Sequence, residues 1–473
     1  MGGSGPLRFV DPAALLDVVR RPWRDEEARL LVAAAAVGAA TALGVVSFYY
    51  FLDVSAEAAA TIRRWTGSPW GGLASIPLAT GIALLVAWWV MRHLGKGHDG
   101  LNLPDVQYAI ARRRGKIPLR PALARTLASA ITVGGGGSAG AEGPVAVLGA
   151  ALGSIGSRFA RFSQRERIVL AATGGAAGIS AAFNAPLAGA FFALEELLRG
   201  AGRTTFPPVV VGSVIAAVIS RGVYGNSPAF PVGEDVHPRH VQEVVLLHPL
   251  LGAACGLAAA LFVRAYFRVD GMARRREAVG ARRPWLVPLL GGLAVGALSA
   301  AAGGLLGGTG HQAVPLDTLA TLPLIAIAGL LLAKAAATAI TLNAGGSGGV
   351  FMPALYLGAA IGAGCGVATA RLMPAWPVSV ESFALVGMGA FVAAATDAPI
   401  TAVLLVFEAT NDYALVPSLM LAVGVATIVR RRMERDDLYG GWLRRRGLEL
   451  EQREAEAMPE PNPAARTSTA GVP

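Results

Sequence analysis

Residues 132–153 read TVGGGGSAGAEGPVAVLGAALG and residues 341–362 read TLNAGGSGGVFMPALYLGAAIG, two stretches that fall into one register. Thr132 pairs with Thr341, Gly136 with Gly345, Ser138 with Ser347, Gly140 with Gly349, Pro144 with Pro353 and Gly149 with Gly358. One Gly-rich run constrains little, but the same run twice at a constant spacing makes this a duplicated fold. In both copies the break leads into a proline near the start of an apolar helix, where a missing N–H costs nothing. Each such start leaves backbone N–H groups facing outward, which suits an anion. The register also puts one carboxylate, Glu142, where the second copy has Phe351. Two helix ends aimed at one anion, with an acid in its seat, is the arrangement the pattern implies.

The rest of the composition says where such a fold lives. Of 473 residues 54% are apolar and 15% charged, and long apolar runs recur at 29–52, 73–91, 243–263, 285–306 and 318–342, among others. This is an all-α polytopic membrane protein. Its 60 Gly and 29 Pro, spread through apolar sequence, predict tightly packed, tilted and broken helices, some of them re-entrant. The net charge of +10 does not make a nucleic-acid-binding face. The arginines instead flank apolar runs: Arg20, Arg21 and Arg24, Arg112 to Arg114, Arg274 to Arg276, Arg430 to Arg432, and Arg444 to Arg446. The positive-inside tendency then puts both termini in the cytoplasm, and RRPWRDEE before the first apolar run is no cleavable signal. Cys255 and Cys365, far apart in apolar segments, are read as packing. His237 and His240 lack the partners of a metal site, so no metal and no cofactor are expected.

Along the chain, residues 1–24 are expected to form a cytoplasmic N-terminal segment with a short amphipathic helix over 11–20. The first membrane repeat spans 25–221, a connecting loop 222–242, the second repeat with a final helix 243–446, and a disordered cytoplasmic tail 447–473. The first helix is expected from about Glu26 into the FYYF aromatics at 48–51, read as an interfacial belt. A second helix is expected over 74–93 and another from near Pro104. The duplication extends well past the Gly-rich runs: Arg125 falls opposite Lys334, and NAPLAGAFFALEE (184–196) echoes DAPITAVLLVFEA (397–409) after an insertion of four residues. That echo pairs Pro186 with Pro399 and Glu195 with Glu408. Matching broken helices in two halves point to a midplane site between them, and convergence of the helix starts from opposite sides favours inverted-topology repeats.

Five stretches in order carry a resemblance to a known family: GAEGP (140–144), FNAPLAGAFFALEE (183–196), GGSGGVFMP (345–353), DAPITAVLLVFEATND (397–412) and DDLYGGWLRRRGL (436–448). The chain resembles the CLC family of chloride channels and anion/proton exchangers over residues 25–446. The resemblance implies two inverted halves per subunit, one pathway in each subunit, and a homodimer in the inner membrane of a prokaryotic cell. It implies that Glu142 is the gating glutamate and Glu196 the inner glutamate that relays protons. The backbone N–H groups of Val350 and Phe351 match the ligands of the central anion, and Gly140, Gly143 and Gly349 stand in the same motifs. Tyr439 matches the tyrosine that closes the site from below. Two positions depart from the pattern: Ala141 replaces a basic residue, and Gly100-Leu101-Asn102-Leu103-Pro104 puts Leu101 where a serine hydroxyl contacts the anion, with Asn102 beside it. The fluoride-transporting branch also lacks that serine but generally lacks the inner glutamate, which is present here.

The chemistry fits these residue types. A dehydrated anion faces a large desolvation cost, whereas a full cation at contact would hold it too tightly to release. Helix N-termini offer about half a unit charge each. Arg125 and Lys334 can raise the local potential from a few turns away, or simply cap carbonyls. Glu196 has a plainer alternative, a helix-end ion pair with Arg199, and Tyr439 beside Trp442 has that of an interfacial aromatic. Glu195 and Glu408, as repeat mates, read as structural. The expected function is exchange of chloride or a similar small anion for protons. The alternatives are a passive channel of the same fold and a fluoride/proton antiporter. A remote one is an intramembrane serine protease built on Ser138 or Ser347, which would need a positioned histidine.

Overall fold

The computed structural model describes residues 26–65, 71–95, 101–200, 202, 204–226, 230, 246–278, 283–307, 316–374 and 378–448. The first-half helices are α1 (Glu26–Trp65), α2 (Gly71–Leu94), α3 (Leu103–Arg112), α4 (Leu119–Gly134), α5 (Glu142–Phe159), α6 (Gln164–Phe183), α7 (Pro186–Phe192) and α8 (Phe206–Tyr224). Those of the second half are α9 (His248–Ala278), α10 (Leu286–Ala301), α11 (Leu316–Thr321), α12 (Leu324–Asn343), α13 (Phe351–Leu372), α14 (Val380–Thr396), α15 (Pro399–Thr410) and α16 (Val416–Met433). A short α17 (Gly440–Arg445) follows. Seven of the described helices are long and apolar enough to cross a bilayer. The expected N-terminal helix over 11–20, most of the 222–242 connection, and the tail from 449 lie outside the described residues.

The helix ends follow the sequence. Pro186 and Pro399 open α7 and α15, where a donor is not needed. Asn184 and Asp397 close α6 and α14 in the left-handed region, at φ 56° and 66°. Between α4 and α5, Gly136 has φ +97°, and its mate Gly345 has φ +107°, values that only glycine adopts without strain. Close packing also repeats. At Gly149 a Cβ would strike the Gly174 carbonyl, and at Gly153 that of Leu170. The same fit recurs at Gly358 against Gly387 and at Gly362 against Phe383. Small residues let these backbones touch where lipid gives helices no hydrophobic reason to associate.

The two halves are inverted. Repeat mates α2 and α10 run antiparallel, with Gly81 against Gly292 and Pro77 against Gly296. At the centre Gly140 and Gly349 exchange both backbone hydrogen bonds, at 2.8 and 2.7 Å, in an antiparallel bridge. Beside it the Ser138 N–H donates to Thr341 Oγ1 at 3.1 Å, and the Ser347 N–H to Thr132 Oγ1 at 3.0 Å. A contact that each half gives and receives alike places a local two-fold axis through the bridge.

One local expectation is corrected. The aromatics at 48–51 do not form an interfacial belt, because α1 continues unbroken to Trp65. Phe48 and Tyr49 are buried, and the Tyr49 hydroxyl donates to the Ala182 carbonyl at 3.3 Å; only Tyr50 and Phe51 face outward. A helical repeat sends four consecutive residues around the whole circumference, so they cannot all share an outer face.

Candidate functional site

The site is built where α5 and α13 begin. Beyond α4 the chain turns through a break in which the Gly137 N–H returns to the Thr132 carbonyl at 2.8 Å, and Gly346 does the same to Thr341 at 3.0 Å. These turns bring Gly140 and Gly349 side by side and start the two helices next to each other. Ala141 caps α5 and Val350 caps α13, neither with a side-chain acceptor, so the first-turn amides have no local partner.

Glu142 meets that need. Its side chain is 2% exposed, and Oε1 accepts the Met352 N–H at 2.5 Å. The Phe351 and Ala141 N–H groups also face the carboxylate. A Cβ on Gly140 would fall on the carboxylate oxygens, and one on Gly349 would stand 3.2 Å from Oε1. Gly143 packs on Gly349, where its Cβ would lie 3.2 Å from the Gly349 Cα. A negative group thus sits folded against a glycine bridge, at the positive ends of two helices. The Phe351 ring closes one side, 5.9 Å from that of Phe183.

A second cluster lies beneath the first. Glu196 is 5% exposed in a π-helical turn, Ala193–Leu197, that finishes α7. Its Oε2 accepts from Gln107 Nε2 at 2.7 Å, rather than from Arg199, which is exposed. Tyr439 caps α17, is 7% exposed, and donates its N–H to Asp437 Oδ1 at 2.7 Å. Glu196, Glu142 and Asp437 are its electrostatic neighbours, and its burial takes it away from the lipid interface. Leu101 is buried in the core, and Asn102 starts α3 by donating its backbone N–H to Asp105 Oδ2 at 2.7 Å.

Arg125 and Lys334 do cap carbonyls. Arg125 Nη2 donates to Gly348 at 2.9 Å, stitching the first half to the second half's break. Lys334 Nζ donates to Leu306 at 2.7 Å and lies 4.9 Å from the centre of the Tyr356 ring. Glu195 and Glu408 reach across the two-fold. Glu195 accepts the N–H groups of Ile400 and Thr401, and Glu408 those of Leu187 and Ala188. Sequence reasoning missed three residues. Met352 was hidden because a backbone donor leaves no mark in the side-chain pattern. Gln107 is a polar residue on the buried face of α3, and that was its one visible signal. Tyr49, an electrostatic neighbour of Glu142, is hidden in the supposed belt.

The protease alternative is overturned. Ser347 Oγ donates to the Arg125 carbonyl at 3.3 Å, and Ser138 Oγ pairs with Thr338 at 2.9 Å. Of the described histidines, His93 bonds to Trp89 and His248 packs on Phe383, so neither serves a serine. Among the described residues no group of His, Cys, Asp or Glu forms a metal site.

Inverted halves of apolar helices, closed around a buried carboxylate held by a backbone amide, define an integral membrane protein of duplicated fold. The chain belongs to the voltage gated chloride channel family, whose pattern it matches over residues 83–431. It is 34% identical over 411 residues to a ClcB-like protein of Ralstonia nicotianae, covering 83% of this chain and 91% of that one. It is 30% identical over 383 residues to the H(+)/Cl(-) exchange transporter ClcA of Citrobacter koseri, covering 78% and 79%. Among solved structures it is similar to a slow cyanobacterial Cl-/H+ antiporter, with TM-score 0.79 and 25% identity, covering 88% and 98%. A CLC-type fluoride/proton antiporter shares the fold at TM-score 0.68 and 20% identity, covering 87% and 96%. The protein is a transporter rather than an enzyme.

Proposed function

We propose that the protein exchanges chloride for protons across the membrane, with Glu142 as the gate. The observation that carries this reading is the Glu142 carboxylate, buried and bonded to the Met352 N–H at the start of α13. Amides that hold a carboxylate will hold a halide in its place. Protonation removes the charge that ties the side chain there, so arrival of a proton and entry of an anion become linked events. The anion then rests against Gly140, Gly143, Gly349, Val350 and Phe351, with Tyr439 below and Leu101 and Asn102 toward the cytoplasm. Glu196 gives the proton its own inner stop, which supports exchange over passive conduction. Chloride is favoured over fluoride by the exchange transporters among the relatives and by the presence of Glu196. We place the protein as a homodimer in the inner membrane of a bacterium with both termini in the cytoplasm, as the family resemblance implies.

The test is reconstitution. Vesicles given a chloride gradient should drive protons uphill, and Glu142→Gln should keep chloride flux while abolishing proton movement. Proton pumping that survives this change refutes the gate.

A further inference from the structure

We propose that Gln107 is a positioning residue for the proton step: its amide partners Glu196 in both protonation states. The proposal rests on the reading of Glu196 as the inner proton stop. Gln107 is 1% exposed, and its Nε2 donates to Glu196 Oε2 at 2.7 Å. The other amide atom, Oε1, is buried without a hydrogen-bond partner. A buried amide carbonyl left unmet is costly, and an apolar side chain of the same size would avoid that cost. The unmet acceptor is explained by what Glu196 becomes. An ionised carboxylate offers only acceptors, so it takes Nε2–H and has nothing to give Oε1. A carboxylic acid carries one O–H donor. Paired with a primary amide, it accepts from Nε2 and donates to Oε1 in two parallel hydrogen bonds.

In this scheme the proton arrives on a Glu196 oxygen and leaves from it, while the amide neither gains nor loses one. Gln107 contributes a fixed donor and a fixed acceptor, so the carboxyl group keeps its orientation when its charge changes. The charged groups around Glu196 are Asp437, Arg199, Asp397 and Glu195. Among the described residues, the one side-chain hydrogen bond to Glu196 comes from Gln107. Leucine at position 107 would serve neither state. Glutamate there would form an acid pair sharing one proton, with its two apparent pKa values pushed apart.

Gln107→Leu, Gln107→Glu and Glu196→Ala are reconstituted in parallel, and chloride efflux and proton uptake are measured across pH. Gln107→Leu should keep chloride efflux within about twofold of native while proton uptake falls about tenfold, the loss expected for one buried hydrogen bond to an ionisable group. Gln107→Glu should regain proton uptake with its pH profile displaced by about one unit or more. Native proton uptake in Gln107→Leu overturns the proposal. So does a proportional loss of both fluxes in both variants, which marks a merely structural role. If Gln107→Leu does not fold, Gln107→Glu decides, and an unshifted pH profile overturns it. Glu196→Ala separates the two readings: native coupling there refutes Glu196 as the proton stop. If Glu196→Ala uncouples and Gln107→Leu does not, only the role of Gln107 falls.

Discussion

Glu195 and Glu196 are neighbours with different assignments, and removing the first tests the division. Glu195 Oε1 accepts the Ile400 N–H at 3.0 Å, while Oε2 accepts the Thr401 N–H at 2.7 Å and the Thr401 hydroxyl at 2.6 Å. These donors lie in the first turn of α15, so Glu195 is a cap supplied by the other half of the molecule. Glu195→Ala removes all three. Taking about 1.5 kcal/mol for each Thr401 bond and about 0.5 for the more solvent-facing Ile400 bond, the loss is about 3.5 kcal/mol. The mate, Glu408, holds Ala188 at 2.7 Å and the exposed Leu187 at 3.0 Å. Glu408→Ala should therefore cost about 2 kcal/mol on the same values. Unfolding in mixed detergent micelles, followed by tryptophan fluorescence, should rank Glu195→Ala below Glu408→Ala and both below native. The protein that survives should move protons and chloride in the native ratio. A Glu195→Ala variant as stable as native but uncoupled would refute the structural assignment, and with it the choice of Glu196 over Glu195 as the inner proton stop.

Other outcomes follow from the same geometry. If Glu142 is the proposed gate, protonation releases its side chain from Met352 and chloride flux should rise as pH falls; in Glu142→Gln, which has no charge to lose there, it should be flat with pH in a tracer-efflux assay. Gly174→Ala drives a methyl into the Gly149 carbonyl and should destabilise by about 1–3 kcal/mol in the same unfolding assay, as overpacking does. Leu101→Ser puts a hydroxyl before the start of α3 and should tighten chloride binding by about tenfold in isothermal titration, the worth of one hydrogen bond to an ion; unchanged affinity would place Leu101 away from the anion.

Much of this was legible because the duplication is legible. Residues that match in sequence, such as Gly140 and Gly349, prove to touch, and the register alone put Glu142 opposite Phe351. Helix starts were readable wherever proline marks them, as at Pro186 and Pro399. What escaped was carried by direction rather than composition. No pattern tells that the Met352 amide points at an acid on another helix. Nor does any pattern show that Tyr49 faces inward while Tyr50 faces out, since each depends on the rotation of a helix fixed by its neighbours. The π turn at Ala193–Leu197, which helps set the orientation of Glu196, leaves no residue signature at all.

The backbone obeys a two-fold axis, yet its acids do not. The mate of Glu142 is Phe351, and the mate of Glu196 is Ala409. Turned over in the bilayer, the same scaffold would present aromatic and methyl groups where the proton needs oxygen. The molecule therefore has a front and a back written only in side chains. Vesicles holding it in one orientation should answer acid on their two faces unequally, and a scrambled preparation would average two unlike responses into one.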